Sequence, residues 1–159
     1  KALKDSRVGA IGVQSLVIIL IIQIAAIIKL DFYATFAFPL AAFWGRLSQI
    51  FAIENYEYIF KKEQISFHHQ HWKGLNKEIR PSIIILTISI LIFLFSTNSN
   101  TFNTFLLINC LISGVITSML IPKLINNLLG GHCGDSYGAS LVITETANLF
   151  ILSLILAPN

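Results

Sequence analysis

Residues 8–28 run without a single charged side chain, and the stretch meets its first charge only at Lys29. A helix rises about 1.5 Å per residue, so a run of this length matches the roughly 30 Å hydrocarbon core of a bilayer. A soluble chain of 159 residues has no core large enough to bury such a segment on every face, and the remaining place for it is a membrane. Four further apolar runs follow, at Phe32–Ile53, Ser82–Phe95, Phe102–Ile121 and Ala139–Leu156. None alternates with period two and all are too long for strands, while lipid leaves a single segment's backbone no partner but its own helix. The chain therefore reads as an all-α, polytopic integral membrane protein. It forms one domain, 1–159, with helices at about 8–30, 32–53, 82–97, 102–121 and 139–156. The third run is the shortest, which is why Ser96 and Thr97 are added to it.

Composition agrees. Only 12% of residues are charged and 55% are apolar, against roughly 25% charged in soluble domains. Disorder is excluded by the same excess of apolar surface. The net charge of +3 marks topology rather than nucleic-acid binding. With five passes, the N-terminus and the 54–81 and 122–138 loops share one side. That side holds Lys1, Lys4, Arg7, Lys61, Lys62, Lys73, Lys77, Arg80 and Lys123, and the other holds Lys29 alone. The positive-inside rule makes the basic side cytoplasmic. Cys110 and Cys133 provide no disulfide framework. The chain opens on Lys1 without an initiator methionine or a signal peptide, and is expected to be part of a longer protein.

Three features are costly for a membrane protein to keep. Lys4-Asp5-Ser6-Arg7, followed by Gly9 and Gly12, combines cations and an anion at the mouth of the first helix, an arrangement suited to phosphate. A basic flank with an N-cap explains the same residues more plainly. Gly130-Gly131-His132-Cys133-Gly134-Asp135-Ser136-Tyr137-Gly138 places four glycines in a stretch that cannot be helical throughout. There, backbone N–H groups can approach an anion, Asp135 can ligate magnesium, and Ser136 can cap the last helix. A flexible reversal is the plainer alternative. Arg46 and Glu145 are intramembrane charges at similar depth, expected to be partners in a polar cavity with Gln14, Gln49 and Asn148, or to form a purely structural pair. His68, His69, His71, His132 and Cys133 match no zinc spacing. There is no P-loop, dinucleotide fingerprint or nucleophile elbow.

Leu3-Lys4-Asp5-Ser6-Arg7-Val8-Gly9 and Leu129 to Ala139, together with Gly45-Arg46 after Pro39 and Glu145 ten residues after Asp135, resemble the cobalamin synthase family, the adenosylcobinamide-GDP ribazoletransferases. The likeness runs from end to end. Cys133 stands where that family usually has threonine, and Val142 where it often has glutamate. The family's upstream aspartate-rich motif precedes the first residue of this chain, which would make the chain the C-terminal portion of such an enzyme, inactive alone.

The resemblance implies that adenosylcobinamide-GDP and α-ribazole, or its 5′-phosphate, are joined with release of GMP at the cytoplasmic face of the bacterial plasma membrane. Magnesium is the implied cofactor, with Asp135 and Asp5 as ligands. Lys4, Asp5, Arg7 and Asp135 are the expected catalytic residues. Ser6, Arg46, Gly131, Gly134, Gly138 and Glu145 are the expected substrate-binding residues. The expected partners are the substrates and the lipid bilayer but no nucleic acid, and a homo-oligomer is compatible with the sequence. A lipid-headgroup transferase of the CDP-alcohol type, or a small transporter subunit, would use similar charges with a different acidic motif or a polar route to both faces.

Overall fold

The computed structural model describes residues 9–60, 71–96 and 101–155. They form five α-helices and no strand: α1 Ala10–Leu30, α2 Ala34–Asn55, α3 Leu75–Ser96, α4 Thr101–Leu129 and α5 Gly134–Ile155. A 3-10 turn, Asp31–Tyr33, joins α1 to α2. By length and apolar character four helical stretches can cross a membrane, the first being Ala10–Asn55 taken whole. Straight, its 46 residues would extend about 69 Å, more than twice a bilayer core. The break is at Asp31, whose φ of 47° and ψ of −121° lie outside the helical region. The Asp31 N–H closes α1 on the Ile27 carbonyl.

Side-chain contacts give the directions. Gln23 of α1 donates to Thr146 of α5, and Leu30 shares a buried cluster with Leu149 and Leu152, so α1 runs parallel to α5. Ser48 of α2 donates to the Ser140 carbonyl, and Ala37 lies with Leu152, so α2 runs against both. Phe36 stacks edge-on to Phe93 near the far end of α3, while Arg46 meets Glu78 near its start. The bundle is thus up-and-down, with α5 packed against α2, α4 and α1. The start of α1, the end of α2 and the α4–α5 turn share one end.

Small residues make the close contacts, as expected where helices gain nothing by leaving lipid and must rely on packing. A Cβ on Gly45 would stand 2.9 Å from the Leu141 carbonyl oxygen, and one on Gly114 would overlap the Trp44 indole. Along α5, Ser136, Ser140, Thr144 and Asn148 recur every fourth residue on one buried stripe. Asn148 donates to Thr117 at 2.7 Å and accepts from Ser113, tying α5 to α4. Ile11, Ile28, Ile84, Phe95 and Leu128 point outward, the surface a bilayer covers.

Helix bounds correct the sequence reading at three places. α3 begins at Leu75 rather than 82, α4 continues to Leu129 rather than 121, and α5 begins at Gly134 rather than 139. Pro81 and Pro122, placed in the 54–81 and 122–138 loops, lie inside helices. Each costs one backbone hydrogen bond, which packed membrane helices absorb. The supposed 122–138 loop therefore shrinks to Gly130–Cys133, and the 54–81 loop loses both its ends to helices.

Candidate active site

The turn between α4 and α5 is made by glycines. Gly130 and Gly131 have φ of 72° and 146°, values that side chains with a Cβ rarely adopt. The Gly130 N–H closes α4 on the Asn126 carbonyl at 2.8 Å. At Gly131 the chain presses on the segment after α2, where a Cβ would lie 2.8 Å from the Glu57 carbonyl oxygen. There His132 N–H donates to Glu57 at 2.8 Å and Ile59 N–H donates to the His132 carbonyl at 2.9 Å. This isolated parallel bridge, Tyr58 to His132, fixes the turn to the end of α2.

Ser136 caps α5, though from inside the helix. Its Oγ accepts the Cys133 N–H at 2.8 Å, the third-residue half of a capping box. His132 is fully buried. Its Nδ1 is 3.0 Å from Ser136 Oγ and its Nε2 is 3.0 Å from the Pro122 carbonyl oxygen. Burial lowers its pKa from the usual value, opposed in part by the Pro122 carbonyl. Burial likewise raises that of Tyr56.

On this hydrogen-bonded base Asp135 is exposed in the first turn of α5, and Gly138 is exposed one turn on. An open groove beside it is lined by Ile125, Leu128, Leu129, Ala139 and Ile143. Such a placement suits Asp135 for work on a ligand, and also favours the α5 dipole. Among the described residues no three potential metal-ligating side chains converge. Asp135 alone makes no magnesium site, although magnesium commonly takes only one or two carboxylates and completes its shell with water and substrate phosphate.

The other expected residues are spread out. Gly131, Gly134, Asp135 and Gly138 belong to the turn and the first two helical turns of α5. Lys4, Asp5, Ser6 and Arg7 lie outside the described residues, as do His68 and His69, while Gly9 begins α1 at the same end. Arg46 and Glu145 are not partners. Arg46 donates to Gln49 and meets Glu78 Oε2 at 3.5 Å. It faces the α2–α3 groove with Ser82 and Ile85. Glu145 packs across Gly45 on the α5 side, ten residues or about 15 Å along the helix from Asp135. Gln14 is exposed, and Asn148 is committed to α4. The expected single cavity is thus divided, because the two charges leave α2 and α5 in different directions. Sequence reasoning missed Glu78, which it placed in a loop, and gave Tyr56 and Tyr137 no role.

A family model described as cobalamin-5-phosphate synthase matches residues 1–153. The adenosylcobinamide-GDP ribazoletransferase of Prochlorococcus marinus strain SARG / CCMP1375 is 45% identical over 157 residues, covering 98% of this chain and 60% of the relative. Its counterpart in strain MIT 9303 is 35% identical over 98% of the chain and 60% of the relative. That of Trichormus variabilis is 30% identical over the same shares. The chain therefore spans about 60% of the length of these relatives. No solved structure matches it.

Proposed function

This chain belongs to the cobalamin-5-phosphate synthase family, and we propose that it carries the reacting end of an adenosylcobinamide-GDP ribazoletransferase. The observation that carries the reading is the placement of Asp135. It stands exposed on a backbone turn that two glycines and a buried histidine hold against the end of α2, in a chain aligned over 98% of its length with ribazoletransferases.

In the reaction, a ribazole hydroxyl oxygen bonds to the phosphorus that carries cobinamide. The bond from that phosphorus to the bridging oxygen breaks, GMP leaves, and the hydroxyl proton passes to a base. Charge spreads over the phosphoryl oxygens, so cations and directed N–H groups are what the protein must supply. Lys4, Arg7 and Ser6 are proposed to hold phosphate, immediately before Gly9 at the end of the bundle where Asp135 lies. Asp5 is proposed to orient these cations or to ligate a metal. Gly134 and Gly138 let substrate approach the backbone, whereas Gly131, buried against Glu57 and Ile59, serves the turn instead. Arg46, held by Glu78 and Gln49, and Glu145 shape the helix faces flanking that end. Magnesium, when bound, would neutralise phosphate charge with Asp135 as one ligand. The basic end is proposed to face the cytoplasm of a bacterial plasma membrane, since Lys73, Lys77, Arg80 and Lys123 share it.

The test is GMP release from adenosylcobinamide-GDP and α-ribazole. It compares membranes carrying this chain with membranes carrying the full-length Prochlorococcus marinus relative that is 45% identical to it, each with magnesium and with EDTA. Magnesium-dependent release by the relative, lost when its residue aligned with Asp135 becomes alanine, supports the assignment. Undiminished release by that variant overturns the role of Asp135.

A further inference from the structure

One side chain in the turn has no place in the reaction and is nevertheless the most completely committed. His132 is wholly buried, with its ring between two tyrosines whose centroids are each 5.3 Å away, at 26° to Tyr56 and 3° to Tyr137. A carbonyl oxygen only accepts, so the 3.0 Å contact with Pro122 requires a proton on Nε2. In the neutral ring Nδ1 is then an acceptor, facing the Ser136 hydroxyl at 3.0 Å. The Cys133 carbonyl oxygen lies at the same 3.0 Å from that hydroxyl, and of the two acceptors the imidazole nitrogen is the stronger base. Ser136 Oγ also receives the Cys133 N–H, so the hydroxyl both donates and accepts within the turn.

The two ends of this chain of bonds belong to different helices. Pro122 is in α4 and Ser136 is in the first turn of α5. The His132 backbone is meanwhile bonded on both sides to Glu57 and Ile59. A histidine that merely filled space would not need two directional partners on separate helices. A phenylalanine would fill the same slot between the tyrosines and take the imidazole away from both polar groups, which is unfavourable in a buried site.

We propose that His132 is a positioning residue. As the neutral Nε2–H tautomer it ties α4 to the first turn of α5, and so holds Asp135 and Cys133 at one height above the end of α2. Its consequence for turnover rests on the transferase reading above, whereas the tie itself does not.

Two measurements read the tie directly. The first is 15N NMR of the histidine-labelled chain in lipid nanodiscs at neutral pH, with the His132 signals identified by their loss in His132→Phe. A single, fixed Nε2–H tautomer is expected. Averaged tautomers at that residue overturn the proposal.

The second is the labelling rate of Cys133, a buried thiol, by a charged maleimide in a Cys110→Ala background. His132→Phe keeps a ring between the tyrosines and removes both hydrogen bonds, and is expected to label about tenfold faster than native. His132→Asn, which retains an acceptor where Nδ1 stood, is expected to fall between the two. Labelling of the phenylalanine variant at the native rate overturns the tie. If the tautomer and labelling results hold while GMP release is absent from the full-length relative, the transferase reading fails and the tie stands.

Discussion

Gly131 shows what the turn demands of single residues. Its φ of 146° and its closeness to the Glu57 carbonyl both oppose a side chain, so Gly131→Ala is expected to lose about 2 kcal/mol or more of stability. Gly134, with nothing within 4 Å of a built Cβ, is the control, and Gly134→Ala should melt within about 2 °C of native. Asp135 is exposed, so Asp135→Asn should leave folding and membrane insertion intact, while the matching change in the full-length relative should lower turnover at least about 100-fold, a loss usual for a group acting on transition-state charge. Wild-type turnover in that variant removes Asp135 from the site. At His132 burial depresses the folded pKa below the unfolded value of about 6.5. Its contribution is therefore complete above that pH and declines as pH falls toward the folded pKa, because the unfolded chain then binds the extra proton. Thermal melts of native protein should weaken below about pH 6.5 more than those of His132→Phe. Equal pH slopes would show that folding leaves the His132 pKa where it was.

At the level of helices, α5 is defined by what it lets near. Its stripe of Ser136, Ser140, Thr144 and Asn148 and the facing Gly45 bring α2 close enough that Glu145 packs over a bare backbone. On α4, Gly114 receives the Trp44 indole. Gly114→Leu should therefore force α2 and α4 apart and lower the melting temperature of the nanodisc-embedded chain by many degrees, as overpacking does. Trp44→Ala in the same background should recover part of that loss. The Arg46–Glu78 contact is different in kind, since the Arg46 side chain is 41% exposed. Exposed pairs contribute about 0–1 kcal/mol, so Glu78→Gln should scarcely change stability. Its effect should show in substrate affinity if Arg46 shapes a face that substrate meets. Lys29 in the last turn of α1 favours the helix dipole there.

Across the whole molecule, five helices run in alternate directions and place both glycine-bearing ends, Gly9 and Gly130–Gly138, on one side. Cysteines introduced at Asn127 and Lys73 should react with impermeant reagents from the same face of sealed vesicles, and one at Asp31 from the opposite face. Reaction of all three from one face would sink the five-pass topology. Much of this was legible beforehand because length and hydropathy are properties of one segment. Charge-free runs such as 8–28 specify spans, and the KDSR and glycine-aspartate motifs specify kinship, whatever the helices touch. Helix ends were less legible, since Pro81 and Pro122 break isolated helices but not packed ones, whose neighbours accommodate the lost bond. Partner choice was not legible at all. Arg46 and Glu145 share a depth, yet which way each points depends on the rotation of α2 against α5, and that rotation is set by where Gly45 and Gly114 permit contact. Membrane residence, the number of long apolar helices and the family are thus written into local stretches of residues, each readable without its neighbours. That Arg46 meets Glu78, and that His132 joins two helices, emerges on packing, because both depend on distances between segments that no single segment encodes.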